Sequence, residues 1–189
     1  VEELTVESRW LTWLTRAGVI ELTPEVGLVG HDSWADGRCG DYQNSWVIMN
    51  DYLLIEEFAG LRQAGRLDKL HELGDAAAAY FRAILPEAFR QYRRLLLLTH
   101  VPPFQEACWH QGQISDDDFL PHFVCRAAGE ALREVMMAHP ERELLVLCGH
   151  THGAGRAQIL PNLLVLTGGA EYGAPTVQRV FALAQPDGG

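Results

Sequence analysis

The sequence predicts an α/β fold, and three observations carry that reading. Short aliphatic runs, LLLL at 95–98, LLVLC at 144–148 and LLVL at 163–166, have the length and composition of strands buried on both faces. Longer stretches with apolar residues every three or four positions lie before and between the first two runs, as amphipathic helices do. Glycine and proline, 18 and 9 residues respectively, punctuate the junctions and form no biased tract. Strands alternating with helices imply a sheet covered by helices on at least one face.

Along the chain, Leu4, Trp10, Leu11, Trp13, Leu14 and Ala17 are spaced for a helix that Gly18 stops. VGLVGHD predicts a buried strand over 26–29 ending at Gly30, followed by the polar loop HDSWADGRCGDYQNS. NDYLLIEEFAGL and RLDKLHELGDAAAAYFRAILPEAFRQYRR carry helical periodicity, the second with a kink expected at Pro86. The strand at 95–98 empties into THVPPFQEACWHQGQISDDD, a long loop of the kind that usually has a function. Asp118 is positioned to cap the helix PHFVCRAAGEALREVMMAH, which Pro140 closes. LLVLC, LLVL and TVQRVFAL then read as three further strands with an antiparallel finish.

Composition bounds the function. A chain of 189 residues that is 48% hydrophobic can close one core, so a single domain over 1–189 is expected. The formal net charge of −10 excludes a general duplex-DNA binder, which needs clustered Lys and Arg. The 4 cysteines show no C-x-x-C spacing, and Cys125 and Cys148 sit in apolar segments, which fits a reduced, cytoplasmic protein. No run has membrane-span length, and VEELTVESRW lacks the features of a signal peptide, so no membrane partner is expected.

Two strands end in histidine. The run at 95–98 leads through Thr99 to His100, and the run at 144–148 leads through Gly149 to His150 and His152. Ligands of open α/β sheets gather beyond the carboxyl ends of strands, so the three imidazoles are candidates for one crevice. In an extended segment His150 and His152 point to one side and Thr151 to the other, and Gly149 and Gly153 leave the approach open. Imidazoles converging in this way are suited to a transition metal. A second candidate is the loop after the first buried strand. His31, Asp32, Trp34, Asp36 and Arg38 combine a proton carrier, carboxylates, an aromatic platform and a guanidinium suited to phosphate oxygens, as a substrate-binding loop does. Glu171 and Tyr172 follow a strand as well and are candidate lining residues, whereas His110 and His122 read as structural.

LLLLTHVPPF followed by LLVLCGHTHG resembles the downstream half of the calcineurin-like metallophosphoesterases, whose motifs run D-x-H, G-D-x-x-D, G-N-H-[DE], a lone His, then G-H-x-H. His100 matches the lone His and 149–152 matches the last motif. The resemblance implies a four-layer α/β/β/α fold, a β-sandwich flanked by helices, and a site with two divalent transition metals that hydrolyses a phosphoester. It also implies that His100 and His150 bind one metal and His152 the other. The three upstream motifs have no counterpart here. GDYQN at 40–44 has Asn where an acid is needed, and GHD at 30–32 lacks the motif's Asn and precedes it in order. The chain is therefore expected to be the C-terminal portion of such a domain, completed by an upstream segment or a second polypeptide.

Two closely spaced dications need a bridging carboxylate or hydroxide, which three neutral imidazoles do not provide. At most one metal is thus expected in this chain, and Mn, Fe, Zn, Co and Ni all suit the ligand types. No catalytic acid is assigned, because the histidine of G-N-H-[DE] is absent. Two alternatives stay open: a mononuclear zinc hydrolase built on the three histidines, and a non-catalytic binding module with a vestigial site.

Overall fold

The computed structural model describes residues 2–183 and has a mixed α/β architecture. The elements are α1 (Glu2–Val6), α2 (Leu14–Ala17), β1 (Ile20–Thr23), β2 (Val26–His31), α3 (Asp51–Leu54), α4 (Gln63–Gln91) and β3 (Arg94–Thr99). There follow β4 (Trp109–His110), β5 (Gln113–Ile114), α5 (Leu120–Phe123), α6 (Arg126–Ala138), β6 (Glu143–Cys148), β7 (Gly155–Leu160) and β8 (Leu163–Thr167). The main sheet has 6 strands in the order β1-β2-β3-β6-β8-β7, and β4-β5 forms a separate two-stranded ribbon. Strands β2, β3, β6 and β8 run parallel, and the two edge strands β1 and β7 are antiparallel to their neighbours.

Alternation along these strands decides which face each residue serves. Val29, Leu95, Leu97, Leu144, Val146, Leu163 and Val165 are buried against α4 and α6, which pack on the same face. Those helices answer with small and aromatic residues, including Ala77, Ala78, Phe81 and Phe89 from α4 and Ala128, Ala131, Leu132 and Met136 from α6. Each fully buried large side chain in this layer contributes about 1.5–3 kcal/mol relative to exposure. On the opposite face Leu28, Leu96, Leu145, Leu147 and Leu164 are only half-buried. Leu14 of α2 reaches Gly30 there, and Phe181 borders Leu96, Leu145 and Leu164. Among the described residues there is no second packed sheet.

Several elements differ from the sequence-based expectation for identifiable reasons. The first helix is interrupted because the Ser8 hydroxyl accepts the N–H groups of Trp10 and Leu11, which ends α1 and leaves Trp10 exposed. α4 runs through Pro86 to Gln91, while the apolar stretch after Asn50 forms only the single turn of α3. The expected helix after the long loop splits at Val124 and Cys125. The Cys125 N–H bonds the Pro102 carbonyl and the Val124 carbonyl accepts from Asp36 N–H, so neither group serves a continuous helix. Asp116 and not Asp118 turns the chain there, its carboxylate accepting the N–H groups of Asp118 and Phe119. Gly155–Leu160 is a strand that the sequence did not announce, and TVQRVFAL is irregular.

Asp36 holds the loop after β2 to both long helices. Its carboxylate is fully buried, accepts the Ala127 N–H at 2.7 Å in the first turn of α6, and pairs with Arg38 at 3.3 Å. This supplies an N-terminal cap that α6 lacks from its own sequence. Gly74 on α4 makes room, since a β-carbon there would press into the Asp36 side chain. Replacing Asp36 with Ala removes one member of a buried ion pair and the cap together. A loss of about 3 kcal/mol is expected, read as a lower urea-unfolding midpoint with unchanged slope, and a loss below about 1 kcal/mol contradicts this role.

Candidate metal site

The parallel pairing of β3 with β6 sets the site. Leu95 lies beside Leu144 and Leu98 beside Leu147, and the Gly149 N–H continues the ladder to the His100 carbonyl at 2.9 Å. The residues that follow emerge side by side, and the His100 and His150 ring centroids lie 4.6 Å apart. His152 lines the same cleft, its ring 4.7 Å from that of Tyr172. The cleft holds about 450 Å³ and is walled by Met49, Phe119, Phe123 and Tyr172.

The way His150 and His152 reach this cleft is not the extended alternation expected from sequence. Both have positive φ, 67° and 58°, in the left-handed region that few side-chain-bearing residues occupy. The Thr151 N–H bonds the Gly149 carbonyl at 2.8 Å, closing a tight three-residue turn around His150. Such strain is held only where surrounding structure over-determines it, and it concentrates at functional sites. Here the surrounding structure is the β4 loop. A β-carbon on Gly153 or Gly155 would collide with Trp109, and His110 Nδ1 donates to the Thr151 carbonyl at 3.0 Å. Gly149 has open space beside it.

Burial favours the uncharged form of His150 and of His100. Burial, then the neighbouring His100, holds His150 down to about 4, with Asp51 and the His122 backbone pulling the other way. Burial also lowers His100, against the opposing charges of Asp51 and Asp32. Trp34 stacks on the His100 ring with centroids 5.3 Å apart and planes 14° apart, and lies 5.1 Å from the His150 ring. Part of His100 stays open to solvent beyond that stack. The His150 Nε2 atom is buried with no hydrogen-bond partner. An unpartnered buried nitrogen costs free energy unless a ligand fills it. Among the described residues no three His, Cys, Asp or Glu side chains are grouped closely enough to hold a metal ion. The donor set therefore fits a metal in part, with two adjacent imidazoles and His152 still on Tyr172.

The loop after β2 is dispersed. Trp34 meets the histidine pair, but His31 and Asp32 border a neighbouring cleft with Phe58 and Lys69. His31 Nδ1 accepts the Ser33 N–H, and Asp32 accepts from Trp13 Nε1 at 2.8 Å. Asp36 is buried, and Arg38, held between Asp36 and Asp75, faces a third cleft with Arg126 and Phe104. The structure thus does not bring Asp36 or Arg38 to the histidines. Conversely, Asp51, Met49, Phe119 and Phe123 line the histidine cleft without having been marked by sequence. Asp51 sits at the start of an apolar run, where an acid is ordinarily just a favourable helix-start charge. His110 lines the cleft too, whereas His122 is structural, as expected.

His122 anchors the wall behind the cleft. The Ser45 hydroxyl donates to the Asp118 carbonyl at 2.8 Å, so His122 Nε2–H donates to Ser45 at 2.9 Å and Nδ1 accepts from Tyr52 at 2.6 Å. Burial, reinforced by Arg66, holds its pKa down to about 4 from 6.5. The unfolded chain takes up this proton near 6.5 and the folded chain does not. Stability is therefore full above that pH and falls as pH drops through the interval to about 4, by on the order of 2–3 kcal/mol. Thermal midpoints between pH 7.5 and about 4 test this. His122→Gln should remove about half of that fall, since His150 is held down to about 4 by burial as well and contributes over the same interval, while a fall left unchanged by the substitution contradicts the assignment.

No protein-family profile matches the chain, and no curated protein does. Among solved structures, the chain is similar to the crystal structure of a dimetal phosphatase from Danio rerio, with 16% identity and a TM-score of 0.44. The likeness covers 80% of this chain and 48% of that one, so the chain spans about half the length of that phosphatase.

Proposed function

We propose that this chain supplies the histidine side of a metal-dependent phosphoester hydrolase of the calcineurin-like type, with the remaining ligands coming from an upstream segment or a second polypeptide. The observation that carries this reading is the His100–His150 pair, 4.6 Å between ring centroids, with His150 Nε2 buried and unpartnered. A neutral imidazole with an unspent lone pair is the protonation state metal ligation requires. The left-handed backbone at His150 and His152 supports the same reading, because strain without a use is not expected to persist. Divalent Mn, Fe, Zn, Co or Ni, bound there, would lower the pKa of a water towards neutrality and offset charge on the phosphoryl oxygens.

The chain's own residues have separable tasks. His100 and His150 present the donor nitrogens, and His152 is the third candidate once its ring leaves Tyr172. Trp34 backs both rings, stacked on His100 and tilted against His150. Asp51 adds a negative charge that acts on both imidazoles and favours a cation between them. His110 fixes the strained turn by its bond to the Thr151 carbonyl. His31 and Asp32 are placed to meet only a substrate that extends past Trp34 into the neighbouring cleft. The mononuclear three-histidine zinc alternative needs the same departure of His152 from Tyr172, and metal stoichiometry with the missing ligands supplied separates it from the main reading. A non-catalytic module is separated from the main reading by turnover.

Metal titration by calorimetry, with elemental analysis, tests the proposal. The chain alone should take up at most one Zn²⁺ or Mn²⁺, weakly, and His150→Ala or His100→Ala should lower that affinity by about tenfold or more. Bis(4-nitrophenyl) phosphate turnover should need the missing ligands supplied by the upstream segment. Metal affinity that survives both substitutions overturns the site. Two tightly held metals and full turnover from the chain alone would show that the carboxylates are already present.

A further inference from the structure

From the composition of the cleft we infer the substrate class: a phosphoester with a single phosphate and a bulky apolar or aromatic group, the latter lying on Met49, Phe119 and Phe123 and continuing over Ile48 and Leu54. This rests on the phosphoesterase reading above and adds to it what the rest of the substrate must be. Size is the first ground. A phosphoryl group fills the space of only a few waters at about 30 Å³ each, while the cleft holds about 450 Å³. Most of the volume is left for the remainder of the substrate, and beside the histidines, Asp51, Ser115 and Thr151 its walls are a methionine and three aromatic rings.

Charge is the second ground. No lysine or arginine is among the residues that line the cleft, and Asp51 is. Beyond the metal, further phosphates or carboxylates on the substrate would meet a negative charge and no cationic side chain of this lining, which disfavours polyanionic substrates. Continuity is the third. Segment 46–54 supplies Met49 and Asp51 to the cleft and at the same time exposes Trp46, Ile48, Leu53 and Leu54, the second and fourth of these at 82%. Trp46 packs edge-on against Phe119, with centroids 5.5 Å apart, which joins this exposed side chain to the wall. Leu54 follows Asp51 by three residues in α3, one turn along the same side of the helix. Exposed apolar clusters of this kind mark binding surfaces more often than chance.

The test uses non-hydrolysable methyl-, butyl-, phenyl- and octylphosphonate at concentrations below micelle formation, titrated calorimetrically into the chain with and without Zn²⁺. Burial of each methylene strengthens binding by up to about fourfold, so octylphosphonate should bind at least about tenfold more tightly than methylphosphonate. The double variant Ile48→Ser, Leu54→Ser, both exposed and therefore compatible with the fold, should bring octyl affinity down towards that of methyl. Circular dichroism confirms that the variant is folded. A flat series, or tighter binding of tripolyphosphate than of octylphosphonate, overturns the inference even if Zn²⁺ binds. If Zn²⁺ fails to bind while the series still rises, the metal reading falls and the apolar subsite stands. A dimer in sedimentation that the double variant dissociates, with a flat series, would assign the rim to a second copy and overturn it as well.

Discussion

The parallel pairing of β3 with β6, carried one residue past the strands by the Gly149 N–H to the His100 carbonyl, is the constraint on which the rest depends. It fixes two imidazoles beside each other because they follow the last paired residues of adjacent strands. A shift of one residue would turn Leu95, Leu97, Leu144 and Val146 away from α4 and α6, so the same hydrophobic layer that stabilises the sheet also sets the histidine spacing. Core packing and site geometry share one register.

Around that register, the loops act as clamps. Asp36 reaches from the loop after β2 to the first turn of α6, and Gly74 permits the approach from α4. Trp34, two residues earlier, is thereby held over the histidine rings. On the other side Trp109 fills the space left by Gly153 and Gly155, and the His110 bond to Thr151 keeps His150 and His152 in their left-handed conformation. The free energy needed to hold two side-chain-bearing residues there is of order 1–3 kcal/mol each. Packing of the β4 loop and the hydrogen bonds around Thr151 offset it.

The cleft then combines two surfaces of opposite chemistry. Imidazoles, one with a buried nitrogen that has no hydrogen-bond partner, share a pocket with a carboxylate and aromatic walls. Burial favours the uncharged form of His100 and His150, and no Lys or Arg is among the residues that line the cleft. In the substrate proposed above, that lack of cationic side chains favours an uncharged group beyond the phosphate.

Much of this was legible in the sequence. Hydrophobic runs of strand length marked all four parallel strands, and a histidine after two of them pointed to one crevice, because local periodicity and the strand-end rule act over few residues. The strand-like TVQRVFAL, irregular in the structure, shows the limit: apolar alternation permits a strand, but only a hydrogen-bonding neighbour makes one. The loop 31–38 shows it again. Asp36 and Arg38 have residue types suited to phosphate, yet a long-range N–H from Ala127 and the carboxylate of Asp75 occupy them. Asp51 and Phe119 gave no local signal, since an acid at a helix start and a phenylalanine before one are ordinary. Sequence by itself determined which residues could ligate a metal and which strands could carry them, because those depend on side-chain chemistry and short-range pattern. Only the tertiary structure decided which of those groups share a cleft, how His150 and His152 turn into it, and what surrounds them, because these follow from contacts between segments tens of residues apart.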